Sequence, residues 1–189
     1  LLRMAGRRDI DRLLANAGLS SVRPDLLTCY SLDSINSGAS IDWLKNEKPD
    51  VVILNGTRIA SQKVLDCCAA VFLNTHCGIT PAYRGVYGAY WALYADDADN
   101  AGVTIHTVDA GIDTGTIVYQ AAITIDQSDN FASYPVKQYI AGIPLMKQAI
   151  RDIDAKKLMP FRRTDLPSNL WYHPTLWQYA HARFFRGIR

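Results

Sequence analysis

The chain has 189 residues, a formal net charge of +2, and 49% hydrophobic against 20% charged residues. That is enough for one domain with a sizeable core, and the charge is too small to argue for a nucleic-acid partner. No stretch has the length of a membrane span and no signal-peptide pattern opens the chain. Four cysteines (Cys29, Cys67, Cys68, Cys77) without a CxxC pair indicate a reduced, cytoplasmic setting rather than a disulfide framework. Basic residues gather near both ends (Arg3, Arg7, Arg8 and Arg12; Lys156, Lys157, Arg162 and Arg163; Arg183, Arg186 and Arg189) and read as solvated faces.

In chain order, 7–19 has a helical stripe of Ile10, Leu13, Leu14 and Ala17 stopped by Gly18. Residues 25–40 read as a short strand and a polar loop. Residues 40–50 read as a helix with Ser40 as N-cap and Pro49 at its end. The β-branched run 50–54 suits a strand buried on both faces. A helix over 60–68 and a second buried strand, 69–74, complete a strand–helix–strand unit, the mark of an α/β layered domain. After the loop "THCGITPAYRG" comes a helix over 86–97. Strands follow at 102–108 and 116–125 around the loop "DAGIDTG". Residues 128–153 read as a helix capped by Ser128 or Asp129 and kinked or divided at Pro144. The expected fold is a Rossmann-like α/β domain (1–155), its mostly parallel sheet flanked by helices, with an aromatic-rich appendage (156–189) ending in a helix. The apolar strand and Gly-rich turn that usually open a doubly wound domain are not found before residue 25.

Two stretches carry chemistry. Asn74 and His76 end a strand expected at the sheet centre. Ligands bind at the carboxyl ends of such strands, and residues i and i+2 point to one side. An amide and an imidazole converging there suit an oxyanion in acyl transfer, or else a turn asparagine and a histidine satisfied by backbone. Asp113 lies between Gly111 and Gly115. Facing an imidazole it raises that group's proton affinity above the ordinary value of about 6.5; otherwise it forms an Asx turn. Asp113-Thr114-Gly115 also matches an aspartic-protease signature, but the strand–helix–strand pattern contradicts that all-β class. Cys77 points away from His76 on an extended chain and reads as a packed residue. His106 faces the site or the core, His173 and His181 read as structural, and the histidine spacing gives no zinc site.

"NTHCGITPAYRG" followed by "GVTIHTVDAGIDTG" resembles the formyltransferase catalytic-domain family, whose members include glycinamide ribonucleotide, methionyl-tRNA and sugar N-formyltransferases. The resemblance covers about 40–150. It implies formyl transfer from 10-formyltetrahydrofolate to a primary amine of a small molecule, without a metal, through the triad Asn74, His76 and Asp113. Asn74 binds the formyl oxygen, protonated His76 stabilises the oxyanion, and Asp113 keeps His76 charged and moves the amine's proton. It implies a pterin pocket formed by Arg58, Ile59 and Ala60 with the main chain of Asp109, Ala110, Gly111 and Ile112. Tyr83 and Arg84 then shape the acceptor side, with His106 nearby. A nucleotide-linked amino sugar is the first expectation for the acceptor and glycinamide ribonucleotide the second. Formyltetrahydrofolate hydrolysis and a non-catalytic folate-binding relative are the alternatives. The relatives' Pro and Ser after the histidine are here Cys77 and Gly78, their opening strand and helix have no counterpart, and the tail is too short for the tRNA enzyme's C-terminal barrel, so neither tRNA nor membrane is expected as partner. The tail aromatics Trp171, Tyr172, Trp177, Tyr179, Phe184 and Phe185 pack on their own domain or form a homodimer interface.

Overall fold

The computed structural model describes residues 2–22 and 29–189. Of the expected strand and loop over 25–40, residues 25–28 lie outside the described residues, and 29–37 are loop. The first helix, α1 (Leu2–Asn16), covers Ile10, Leu13 and Leu14 of the predicted stripe and ends just before Ala17 and Gly18. Helix α2 (Gly38–Glu47) starts earlier than expected. Ser37, not Ser40, is its N-cap and accepts from the Ser40 N–H at 3.2 Å, while buried Ser40 donates its hydroxyl to the Ser34 carbonyl. Strands β1 (Val51–Leu54) and β2 (Val71–His76) pair in parallel around the short helix α3 (Gln62–Leu65).

The chain then returns through β3 (Arg84–Gly85) and α4 (Gly88–Tyr94) to β4 (Gly102–Thr107), which runs antiparallel to β2. β5 (Ile117–Ala122) runs antiparallel to β4. The sheet order is β1-β2-β4-β5. It is therefore mixed, and the expectation of a mostly parallel sheet is corrected: among the described residues only β1 and β2 pair in parallel within it. The physical reason is the connection. β4 and β5 are joined by the 108–116 loop, with no crossover helix to bring the chain back in the same direction. The Rossmann-like layering holds, with helices on the faces.

Helix α5 (Ser133–Asp154) covers one face and runs unbroken through Pro144, so the expected division is absent. Asp129 is not its cap. It is buried, accepts from the Asp126 N–H and the Ser133 hydroxyl, and pairs with Lys137. Met146 and Ala149 of α5 pack on Leu73, Ile105 and Val118, and α1 lies against α5. A second cluster, Ile41, Leu44, Leu54, Ala60, Val64 and Phe72, seats α2 and α3 on β1 and β2.

The tail is fastened to α4. β6 (Leu170–Trp171) pairs with β3, Trp171 stacks on Trp91 at 4.7 Å, and its indole N–H donates to the Ala82 carbonyl. Helix α6 (Leu176–Phe185) opens with a capping box of Thr175 and Gln178 and buries Ala182 beside Tyr90, but leaves Trp177, Phe184 and Phe185 exposed. No described helix is long and apolar enough to cross a membrane.

Candidate active site

Asn74 and His76 lie two apart at the carboxyl end of β2, so the pleat turns both to one side. Antiparallel pairing places His106 of β4 directly opposite Asn74. The loop between β4 and β5 then folds back and delivers Asp113. All four side chains line one cleft of about 460 Å³.

Asp113 is the hub. One carboxylate oxygen, Oδ2, accepts from the Gly85 N–H at 2.9 Å and lies 3.3 Å from His76 Nδ1. The other, Oδ1, lies 3.5 Å from both Asn74 Nδ2 and His106 Nε2. Burial pushes this carboxyl up, but the His106 hydrogen bond, His76 and the Gly85 N–H outweigh it and hold Asp113 below the ordinary carboxylate range. His106 Nδ1–H donates to the Thr107 carbonyl at 2.7 Å. Its Nε2 then lies 3.1 Å from the Asn74 amide nitrogen and faces Asp113 Oδ1. His106 thus orients Asn74 and borders Asp113.

His76 is only 6% exposed. Its Nε2 lies 2.7 Å from the Tyr83 carbonyl oxygen and its Nδ1 faces Asp113, so both ring nitrogens meet acceptors. Burial nevertheless lowers the imidazole from its ordinary value, against the pull of Asp113 and the Tyr83 carbonyl. The expectation that Asp113 raises it is corrected: Asp113 acts in that direction and desolvation wins. Each ring nitrogen faces an acceptor, so a second proton on the ring finds its partner already in place. Gly78 makes this geometry attainable. A Cβ there would sit 2.2 Å from the Tyr83 oxygen and 2.6 Å from His76 Nε2.

The loop that presents Asp113 is braced by Asp109, not by Asp113. The Asp109 carboxylate accepts from the Gly111 N–H at 3.0 Å and the Thr114 hydroxyl at 2.6 Å. The left-handed residue is Asp113 itself, at φ 51°. Gly115 permits close approach rather than a turn: a Cβ there would lie 1.5 Å from the Thr107 oxygen.

Other predicted residues divide. Arg58, Ile59, Ala60, Asp109, Gly111 and Ile112 line one end of the cleft with Leu54 and Val108, whereas exposed Ala110 does not. Tyr83 reaches the site only through its carbonyl. Its ring stacks on Trp171 and its hydroxyl donates to Asp97 at 2.7 Å. Arg84 lies outside the cleft and donates to the Ile112 carbonyl at 3.3 Å. Among the described residues no group of three or more His, Cys, Asp or Glu side chains is placed to hold a metal ion.

A family described as "Formyl transferase" matches residues 27–140. The chain belongs to the formyl transferase family. It is 30% identical over 126 residues to the methionyl-tRNA formyltransferase of Kosmotoga olearia, a match covering 66% of this chain and 40% of that protein. The chain therefore spans less than half the length of such relatives. Among solved structures it is similar to the N-formyltransferase from Helicobacter canadensis in complex with folinic acid and dTDP-3-aminofucose, at 27% identity and TM-score 0.52, covering 62% of this chain and 43% of that one. It is also similar to glycinamide ribonucleotide transformylase 1 from Symbiobacterium toebii, at 26% identity and TM-score 0.58, covering 70% and 61%.

The formyl transferase cleft has a second end that sequence reasoning missed. It is lined by Cys77, Tyr87, Pro135, Tyr139 and His173. Tyr87 is held at φ 58°, rare for a side-chain-bearing residue, with His173 edge-on to its ring at 5.2 Å. His173, expected to be structural, comes from the tail; no spacing in the sequence ties it to this site. Burial pushes the Cys77 thiol up to about 12, so it carries no thiolate near neutral pH, in keeping with a packed residue.

Proposed function

We propose that this chain transfers a formyl group from 10-formyltetrahydrofolate to a primary amine on a small molecule, with a nucleotide-linked amino sugar as the first choice of acceptor. The observation that carries this is the convergence of Asn74, His76 and Asp113 in one cleft with apolar loop residues at one end. The fit to the folate rests on Ile59 and Ile112, 55% and 37% exposed, which with Leu54 and Val108 leave an apolar surface that a flat ring would cover. The structure bearing both folinic acid and an amino-sugar nucleotide supports the same choice by likeness. A cytoplasmic location fits the reduced cysteines.

The amine attacks the formyl carbon of the co-substrate; as the new C–N bond forms, the bond from that carbon to the donor nitrogen breaks, and the proton lost by the amine passes to that leaving nitrogen. Asn74 gives up its long 3.5 Å contact with Asp113 and offers that amide N–H to the formyl oxygen as negative charge builds there. That charge, beside a buried imidazole, favours the proton that desolvation had disfavoured, so His76 becomes cationic when the oxyanion needs it. Asp113 accepts from the charged ring and relays the proton lost by the amine. Because Asp113 also contacts Asn74 and His106, one carboxylate sets the geometry of all three.

The test is consumption of 10-formyltetrahydrofolate by full-length protein against nucleotide amino sugars, glycinamide ribonucleotide, methionyl-tRNA and water. Turnover with an amino-sugar nucleotide is the expected result. Formate release without an amine would assign hydrolysis instead. Folate binding without turnover on any acceptor would assign a non-catalytic relative.

A further inference from the structure

Thr104 is a fully buried polar residue of β4. Antiparallel register sets it directly opposite His76 on β2 and directly opposite Gln120 on β5. Opposed residues turn their side chains to one face. His76, Thr104 and Gln120 therefore form a row across the sheet, next to the row of Asn74 and His106. On the other face, the neighbouring Ile105 packs against Met146 and Ala149 of α5.

This row carries the loop over 78–83. The Thr104 hydroxyl donates to the Gly78 carbonyl at 2.7 Å and accepts from the Thr80 N–H at 3.1 Å. Gln120 Nε2 donates to the same hydroxyl at 2.9 Å and to the Thr80 carbonyl at 2.8 Å. A carbonyl only accepts, so the Thr80 oxygen settles which way the Gln120 amide points. With two N–H groups aimed at the Thr104 oxygen, its own proton goes to Gly78. The Tyr83 N–H donates to the Ile79 carbonyl at 2.9 Å and closes the loop. The loop ends at the Tyr83 carbonyl, 2.7 Å from His76 Nε2. The tail holds the outer side, through the Asn169 N–H on the Pro81 carbonyl and the Trp171 indole on the Ala82 carbonyl.

We propose that Thr104 is a positioning residue for the reaction. Acting through Gly78 and Thr80, its hydroxyl holds the Tyr83 carbonyl against His76 Nε2 and so sets where the imidazole stands in the cleft. A valine has the same shape but would leave the Gly78 carbonyl, the Thr80 N–H and a Gln120 N–H short of partners, so the loop must move to satisfy them. The catalytic use of this clasp rests on the formyl-transfer reading, whereas the positioning of the ring does not.

Thr104→Val and Thr104→Ser separate the hydroxyl from the methyl group. Each is compared with the native full chain by turnover and by a nuclear magnetic resonance titration of the His76 ring without substrate. In Thr104→Val, kcat is expected to fall on the order of 100-fold, as for a displacement of about 1 Å, with KM for the formyl donor within about twofold. The charged groups that face His76, namely Asp113, His106 and Arg84, are unaltered in both variants. The Tyr83 carbonyl favours the charged ring, so its retreat should move the titration later on the acid side. Thr104→Ser should restore both readouts, whereas a role in packing alone would favour valine. If Thr104→Val does not fold, Gln120→Leu at a half-buried position decides: a smaller shift in the same direction supports the clasp, and none overturns it. Native kcat in Thr104→Val, an unmoved or earlier His76 titration, or Thr104→Ser no better than Thr104→Val would also overturn it. A Thr104-dependent titration in a chain without turnover on any acceptor would uphold the positioning and sink the formyl-transfer reading.

Discussion

The two halves of the cleft are built by different means. The triad half is set by strand register: Asn74 and His76 alternate on β2, His106 stands opposite on β4, and Asp113 is gripped from four sides. The half proposed for the pterin is loop, over 56–60 and 108–112, where Ile59 and Ile112 are exposed and Ala60 is buried. Chemistry tolerates little error in position, so Asn74, His76 and His106 sit on strands and the loop residue Asp113 is fixed by its contacts. Recognition of a flat ring tolerates more and is left to loops braced by their own hydrogen bonds.

The largest expected effect belongs to the rigid half. Asn74→Ala or His76→Ala should lower kcat on the order of 100- to 1000-fold, the loss typical of one oxyanion donor, with folinic acid affinity nearly unchanged. Wild-type-like turnover in either variant would remove the triad from the mechanism. Loss of folate binding alone would erase the distinction between the halves.

Gly78→Ala comes next. It leaves every triad side chain intact but places a methyl group in contact with the Tyr83 oxygen and His76 Nε2, so the ring must move. Overpacking costs about 1–3 kcal/mol, and a displacement of about 1 Å costs on the order of 100-fold in rate. A drop in kcat with the chain still folded by circular dichroism is expected. An unaltered kcat would mean that the ring position is not critical.

The loop half should respond more mildly. Ile59→Ser removes part of an apolar surface that is half exposed without ligand, and about 1 kcal/mol of lost burial raises the KM for the formyl donor roughly fivefold. The kcat should hold within about twofold. A fall in kcat as large as that of Asn74→Ala would show that the loop positions the reacting atoms as well.

The same division explains what was legible in the sequence. The strand–helix–strand unit, β2 ending at the Asn-x-His pair and the glycine-flanked aspartate were readable because period, turn residues and motif spacing are local. Sheet direction was not: whether β4 runs parallel or antiparallel to β2 depends on how 77–101 returns, and no residue in β4 itself declares it. The N-cap was misplaced because Ser37 and Ser40 are chemically alike and only the backbone distinguishes them. Tyr83 sits in the motif for its carbonyl, and Arg84 faces a different cavity, which a side-chain reading of Tyr-Arg-Gly cannot separate. His173 reaches the cleft because Trp171 is stacked on Trp91 and Tyr83, a tertiary contact across the chain.

The smallest effect tests the electrostatics of the rigid half without turnover. His76 binds a proton less readily folded than unfolded, where the ordinary value is about 6.5. Below that pH the unfolded chain takes up a proton that the folded chain refuses, so stability falls as pH drops toward the folded value. One proton of difference amounts to at most about 1.4 kcal/mol per pH unit. Asp113 adds a second loss at lower pH: its folded value is depressed, so its contribution is present above the unfolded value near 3.8 and vanishes as pH falls through the folded one. Denaturant titrations between pH 7 and 5 should therefore show declining stability in the native chain and a flatter profile in His76→Gln. In Asp113→Asn the anion that favours the charged ring is gone, so His76 should refuse its proton to still lower pH. Its ring signals in a nuclear magnetic resonance titration should shift later on the acid side than in the native chain. An earlier shift would mean that Asp113 disfavours the imidazolium, and the relay through His76 would fall with it.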